Sequence, residues 1–273
     1  MVAAIAIAVG VVVWRIRNFD SRQKRNLVKQ TMKNVFFWLE DKRLVRRYPA
    51  FVLDYHRDYP GLGLLEDNYP TVRDECMKLL GMKERLTDIS AMGGNYTQGG
   101  IHAIQWKSFM FKSGEFIEEN CRHCPETTAI LRKIPGVYTA FFSILDPHQY
   151  VFPHWGYYRG FWRFHLGVII PDDNEDGKCW IRINDDPSIR QPEDRDCIEG
   201  GEVYHWKNGE GILFDDTYLH DAKNESDEVR VVLWLDVRKK WPFVANWLNR
   251  LVLKIVYADA SVKRIRENAV IRD

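Results

Sequence analysis

From residue 137 to residue 238 the apolar runs are short and turn-forming residues separate them. VYTAFFSIL, RFHLGVII, CWIRI, EVYHW, GILF and VRVVLWLDV are aromatic or β-branched, residue types that suit a pleated, half-buried surface. DPHQY, PDDNEDG, KNGEG and KNESDE interrupt them with proline, glycine, asparagine and aspartate. Strands at this spacing, with no helix between them, predict an antiparallel sandwich or barrel. Within RFHLGVII, alternation sets Arg163, His165 and Gly167 on one face and Phe164, Leu166 and Val168 on the other. The first face, together with His154, turns to the barrel interior.

The stretch from 27 to 135 is mixed. NLVKQTMKNVFFWLE has a helical pattern, and TTAILRKI before Pro135 is a second, short helix. YPGLGLLEDNYPTVRDECMKLL reads as a turn leading into a helix, with Asp67 or Thr71 near its start. MGGNYTQGG is a loop.

The two ends differ from the middle. MVAAIAIAVGVVVW is uncharged over fourteen residues, and five arginines and lysines follow before residue 26. A secretory signal has the opposite order, charge before apolar stretch. As a helix the run spans roughly 21 Å at about 1.5 Å per residue, short of a hydrocarbon core of roughly 30 Å. Snorkelling of Arg15 and Arg17 extends it, so a short membrane anchor over 1–17 is expected, with the plainer alternative of a buried first element. The basic flank places the body on the cytoplasmic side, at the inner membrane in a bacterium. Near the other end, KKWPFVANWLNRLVLKIVY repeats Val244, Trp247, Leu248, Leu251 and Ile255 at helical spacing. Such a helix lies on a membrane or docks on the domain.

Charge narrows the function classes. With 39 basic and 38 acidic residues the net charge is +1, so no global field draws the chain to nucleic acid. Five cysteines without regular spacing suit reduced thiols, and CRHC has no second CxxC to complete a zinc site.

Three residues stand out. His154 ends an apolar strand, His220 ends GILFDDTYLH, and Arg230 opens the return strand VRVVLWLDV. A turn over KNESDE is expected to fold that strand back beside its predecessor, bringing Arg230 near His220. Two imidazoles and a guanidinium are costly to bury unpaired, which points to a metal or an anion between them.

HWGYYRGFWRFHLGVIIP, WKNGEGILFDDTYLHDAKN and EVRVVLWLDV together resemble the aspartyl/asparaginyl β-hydroxylase family of iron- and 2-oxoglutarate-dependent oxygenases, over about residues 125 to 238. The resemblance implies a mainly β fold with flanking helices, a double-stranded β-helix (jelly roll). It divides the chain into an anchor (1–17), a basic flank and support region (18–124), the oxygenase core (125–238), and an amphipathic C-terminal helix and tail (239–273). It also implies that His154 and His220 bind Fe(II) and that Arg230 pairs with the distal carboxylate of 2-oxoglutarate. Ser143 would donate to the same cosubstrate, and Arg163 and His165 would face its metal-bound end. Dioxygen completes the cofactors, with ascorbate as reductant in vitro. Most oxygenases of the wider superfamily use His-x-Asp, and here that carboxylate position is Gly156; peptide-hydroxylating members of the family also lack it. Asp215, Asp216 and Asp221 read as turn residues or as outer partners of the site.

Two substrate classes follow from the resemblance. The apolar start, basic flank, CPETTAILRKIPGV and basic amphipathic tail resemble anchored hydroxylases of lipid A or ornithine lipid acyl chains. Phe161 stands where the peptide enzymes carry an arginine, and Trp155, Tyr157, Tyr158 and Trp162 suggest an aromatic mouth suited to an acyl chain. Ser143 and Gly156 resemble the peptide enzymes more. A tethered barrel without catalysis is the third reading.

Overall fold

A computed structural model describes residues 21–89, 105–156, 158–258 and 260–271. The apolar segment proposed as an anchor and the loop MGGNYTQGG therefore lie outside the described residues. Among the described residues no helix is long and apolar enough to cross a membrane.

Helix α1 (Ser21–Asp41) turns Phe36 and Phe37 into the protein. After strand β1 (Phe51–Val52) come helices α2 (Gly63–Asp67) and α3 (Tyr69–Leu80), and later α4 (Glu118–Cys121) and α5 (Pro125–Lys133). Neither Asp67 nor Thr71 caps α3: Asn68 occupies that position, and its amide bonds back to the Leu64 carbonyl. Proline in the first turn of α3 has no N–H to satisfy, which eases the start without a side-chain cap.

Eight strands build the core of two antiparallel sheets, alternating between them except for one consecutive pair, Cys179–Asn184 and Glu202–His205, in the smaller sheet. β5 (Val137–Leu145), β7 (Phe161–Ile169), β10 (Gly211–Phe214) and β12 (Arg230–Arg238) form the centre of the larger sheet, in the order β10-β7-β12-β5. β6 (Gln149–His154), β8 (Cys179–Asn184), β9 (Glu202–His205) and β11 (Leu219–Asn224) form the smaller one, in the order β6-β11-β8-β9. The larger sheet also recruits β1, β2 (Thr87–Asp88), β3 (Trp106–Ser113) and β4 (Glu115–Phe116), all from before residue 125.

KNESDE is not the turn of a hairpin. β11 pairs with β6 and β8, whereas β12 pairs with β5 and β7, so Arg230 comes from the sheet opposite His220 and not from the neighbouring strand. The cause is Asn224, fully buried, whose amide donates to the carbonyls of Leu145, Asp146 and Glu228 while its oxygen accepts from Ser226. These bonds turn the chain through a corner from one sheet to the other.

The pleat separates the two faces of β7 as alternation requires. Phe164, Leu166 and Val168 join Leu62, Leu65 and Leu79 of the helical layer in the main core. Each fully buried side chain of this size contributes about 1.5–3 kcal/mol. Arg163 and His165 face the smaller sheet.

At the C-terminal end, α6 (Phe243–Tyr257) buries Ala245, Val252, Leu253 and Val256 against Phe36 and Tyr158, and leaves its other side in solvent. Helix α7 (Ala260–Ala269) is held to β3 by Asn120, which donates to the carbonyls of Met110 and Ala269.

Candidate active site

Between the sheets lies a small, partly open cavity of about 30 Å³, and Ser143, His154, Arg163, His165, His220 and Arg230 all line it. Residues up to 87 positions apart in sequence are thus brought together (from Ser143 to Arg230). None of its lining residues is acidic.

His154 and His220 are direct partners across β6 and β11, with ring centroids 4.1 Å apart. The Nδ1 of His154 is 2.7 Å from the Phe152 carbonyl and that of His220 is 2.9 Å from the Tyr218 carbonyl. A carbonyl only accepts, so each Nδ1 carries the proton and each Nε2 keeps its lone pair. Burial pushes the His154 pKa down to about 4, against the opposing pull of the Phe152 carbonyl. Burial, followed by the neighbouring His154, sends that of His220 well below its ordinary value. Both rings are neutral at physiological pH, the state in which imidazole binds a metal. Among the described residues no group of three or more His, Cys, Asp or Glu is assembled around them.

Nearby acids are spent on cations. Asp221 accepts from Arg182 and Tyr150, and Asp215 pairs with Arg159 and Lys239. Asp216 lies 2.9 Å from Arg163. A Cβ at Gly156 would collide with the Asp216 carboxylate, so the missing acid at 156 leaves room that Asp216 fills from another loop. Burial raises the Asp216 pKa to about 6, with Arg163 opposing the shift.

Deeper in, polar atoms lack partners. Arg230 is 3% exposed, its Nε has no hydrogen bond, and its guanidinium lies 4.7 Å over the Trp206 ring with no carboxylate paired to it among the described residues. Burial pushes its pKa down to about 10. Neither ring nitrogen of His165 has a partner, and the ring sits among Trp206, Phe214 and Trp234. Ser143 accepts from Trp106 Nε1 at 2.9 Å, which leaves its own hydroxyl proton free to be donated. Orphaned buried donors of this kind carry a desolvation cost that an anionic guest would relieve. Arg163 differs, being held by Asp216 and Asp236 and stacked 3.9 Å over Trp234.

The expected aromatic mouth is not formed as the sequence suggested. Tyr158 and Trp162 are buried in other clusters, Phe161 packs on Tyr138 and Tyr257, and Trp155 donates to the Ile189 carbonyl; none of the four lines the cavity. Alternation explains Trp162, which shares the outer face of β7 with Phe164. Tyr157 lies outside the described residues. The rings that do line the cavity, Trp106, Trp206, Phe214 and Trp234, went unnoticed in the sequence. Trp234 was recoverable, since it is four residues from Arg230 on one strand and so shares its face. Trp106 was not, because it belongs to the stretch without clear periodicity.

The family described as Aspartyl/Asparaginyl beta-hydroxylase matches residues 66–240. The ornithine lipid ester-linked acyl 2-hydroxylase of Rhizobium tropici is 31% identical over 218 residues, covering 77% of this chain and 68% of that protein. The human aspartyl/asparaginyl beta-hydroxylase is 25% identical over 179 residues, 63% of this chain and 20% of the human one. Among solved structures, a Pseudomonas putida prolyl-4-hydroxylase aligns with a TM-score of 0.39 at 13% identity, over 64% of this chain and 88% of its own.

Proposed function

The chain belongs to the aspartyl/asparaginyl β-hydroxylase family of 2-oxoglutarate-dependent hydroxylases, and from that premise we propose that it hydroxylates a C–H bond on the acyl chain of a membrane lipid, using Fe(II), 2-oxoglutarate and dioxygen. One observation carries the reading: two neutral imidazoles with free Nε2 lone pairs share a cavity with a buried guanidinium that has no acid paired to it among the described residues. The two alternating sheets are read as a double-stranded β-helix.

When bound, the iron and its cosubstrates supply the oxidising power: one oxygen atom enters the C–H bond, the other goes to succinate, and carbon dioxide leaves. His154 and His220 would hold the metal through Nε2, with the rings oriented by the Phe152 and Tyr218 carbonyls. Arg230 clamps the distal carboxylate of 2-oxoglutarate, and a planar guanidinium does so through two hydrogen bonds where lysine offers a point charge. Ser143 donates its hydroxyl proton to the same end. Arg163 and His165 face the metal-bound end, and Trp106, Trp206 and Trp234 keep the space dry.

An acyl substrate is favoured by the Rhizobium relative, named as a hydroxylase of an ornithine lipid acyl chain, which matches 77% of this chain. The apolar N-terminal segment points the same way, toward a membrane-associated protein with its body on the cytoplasmic side. A peptide substrate is the second reading, favoured by Gly156 and Ser143, which resemble the peptide hydroxylases, and by the human relative. A barrel without catalysis would gain nothing from a buried arginine held free of acids opposite two histidines.

The test has two stages. Succinate should form from 2-oxoglutarate with Fe(II) and ascorbate, and His154→Ala should abolish it; no succinate from the wild type would refute the enzyme reading. Lipid mass spectra from cells with and without the gene should then differ by one added oxygen, and an unchanged lipid profile would move the assignment to peptides.

A further inference from the structure

Helix α6 has two apolar sides. Its buried side is occupied, yet Phe243 is 88% exposed, Trp247 62% and Ile255 57%, with Val244 and Leu251 exposed beside them. These five recur at helical spacing and form one strip on the side away from the domain. Large exposed apolar patches mark interaction surfaces, and this one has a particular border. The fifteen residues of α6 contain no acid. Arg250 and Lys254 are exposed along its edge and have no carboxylate partner among the described residues. At its start, Pro242 shares a groove with exposed Leu44 and with Arg43, Arg46 and Arg47; the two acids there, Glu40 and Asp41, are paired with Arg159 and Arg47.

We propose that this side of α6 docks flat on an anionic bilayer, with Phe243, Trp247, Leu251 and Ile255 at the acyl boundary and Arg43, Arg250 and Lys254 against lipid phosphates. Cations beside an apolar strip suit that surface and no neutral one. A second copy of the chain is the poorer occupant, since mating this side with itself would bring like charges together without an acid to offset them. The chain outside the described residues agrees: fourteen uncharged residues precede α1, and α1 packs on α6 through Phe36.

The same helix is tied to the segment that follows His154 in the chain. Asn249, fully buried on its inner side, accepts from the Tyr158 hydroxyl at 2.6 Å and donates to the Gly160 carbonyl at 2.9 Å. That segment continues directly from His154 and Gly156. Docking therefore fixes the loop next to the metal-binding histidines relative to the lipid surface. For its purpose the inference rests on the lipid reading above, but its measurement does not.

The full chain is spin-labelled at position 247 (Trp247→Cys with Cys197→Ser, the latter removing the exposed thiol) or, as a control, at exposed Val203 (Val203→Cys in the same background). Vesicles are phosphatidylcholine with or without phosphatidylglycerol. With phosphatidylglycerol, the label at 247 should gain contact with oxygen and lose contact with a water-soluble nickel chelate, while the label at 203 stays aqueous. Arg250→Glu with Lys254→Glu should return 247 to the aqueous pattern. A label at 247 that keeps full nickel contact in anionic vesicles overturns the proposal, as does one shielded without lipid as protein concentration rises, which would mark self-association. Succinate is measured on the same samples. An aqueous label with intact succinate formation sinks the docking alone, and a docked label without succinate sinks the enzyme reading alone.

Discussion

Two buried arginines in this protein live in opposite surroundings. Arg159, 1% exposed, is bound by both oxygens of Glu40 and by Asp215, Thr217 and Tyr218, and lies over the rings of Phe37 and Tyr218. Arg230, 3% exposed, has an aromatic ring on one side and, among the described residues, no acid paired to it. Both guanidiniums give up their hydration, but only one recovers it from the protein. A buried charge whose compensation is complete holds elements together, whereas one left incomplete is a receptor for a charge that arrives later.

The largest effect should come from removing the receptor. Arg230→Met is expected to lower succinate formation by about thirtyfold or more, since truncating one partner of a buried charged pair costs about 2–5 kcal/mol. Its melting temperature without 2-oxoglutarate should be unchanged or higher, because the substitution removes an uncompensated charge. A melting temperature that falls as far as that of the Arg159 variant would erase the contrast.

Arg159→Met should do the reverse. It strands Glu40 and Asp215 in the interior, and urea titration should record a loss of about 3–5 kcal/mol. Acid sharpens the same point. Burial alone would raise the Asp215 carboxyl, but Arg159 and Lys239 hold it near 2, below its ordinary 3.8. Its stabilisation is therefore complete above about pH 4 and fades as pH falls toward 2. The urea midpoint should drop through that window in the wild type and drop less in Asp215→Asn.

Smaller effects probe the cavity edge. Gly156→Ala forces Asp216 off its place beside Arg163, and overpacking of this kind costs about 1–3 kcal/mol in chemical denaturation. Trp106→Phe removes the donor to Ser143 and keeps an aromatic ring, though a smaller one, at that position. A net hydrogen bond of about 0.5–1.5 kcal/mol translates into a KM for 2-oxoglutarate raised about two- to tenfold, with kcat little changed.

Much of this architecture could be read from local pattern. VYTAFFSIL and GILF are strands over the same residues in the structure, and the ends of RFHLGVII and VRVVLWLDV shift by one or two positions. β3 escaped because four consecutive residues, Ser108 to Phe111, are buried on both faces, which leaves no period of two to detect. The corner at KNESDE escaped for another reason. Asn224 looks like a turn residue in either case, and only its distant partners, Leu145 and Asp146, decide between a hairpin and a crossing.

The same division runs through the site. The pleat alone determines that Arg163 and His165 look inward while Phe164 and Leu166 look outward, because neighbouring side chains on a strand must point to opposite faces. Which guanidinium finds an acid is a different matter: Glu40 meets Arg159 across 119 positions of sequence, and Asp216 enters the space beside Gly156 from another strand connection. Charge compensation depends on distances of a few ångströms between segments far apart in the chain. Only the packing of the two sheets and of α1 sets those distances, and so it alone made Arg159 a brace and left Arg230 open.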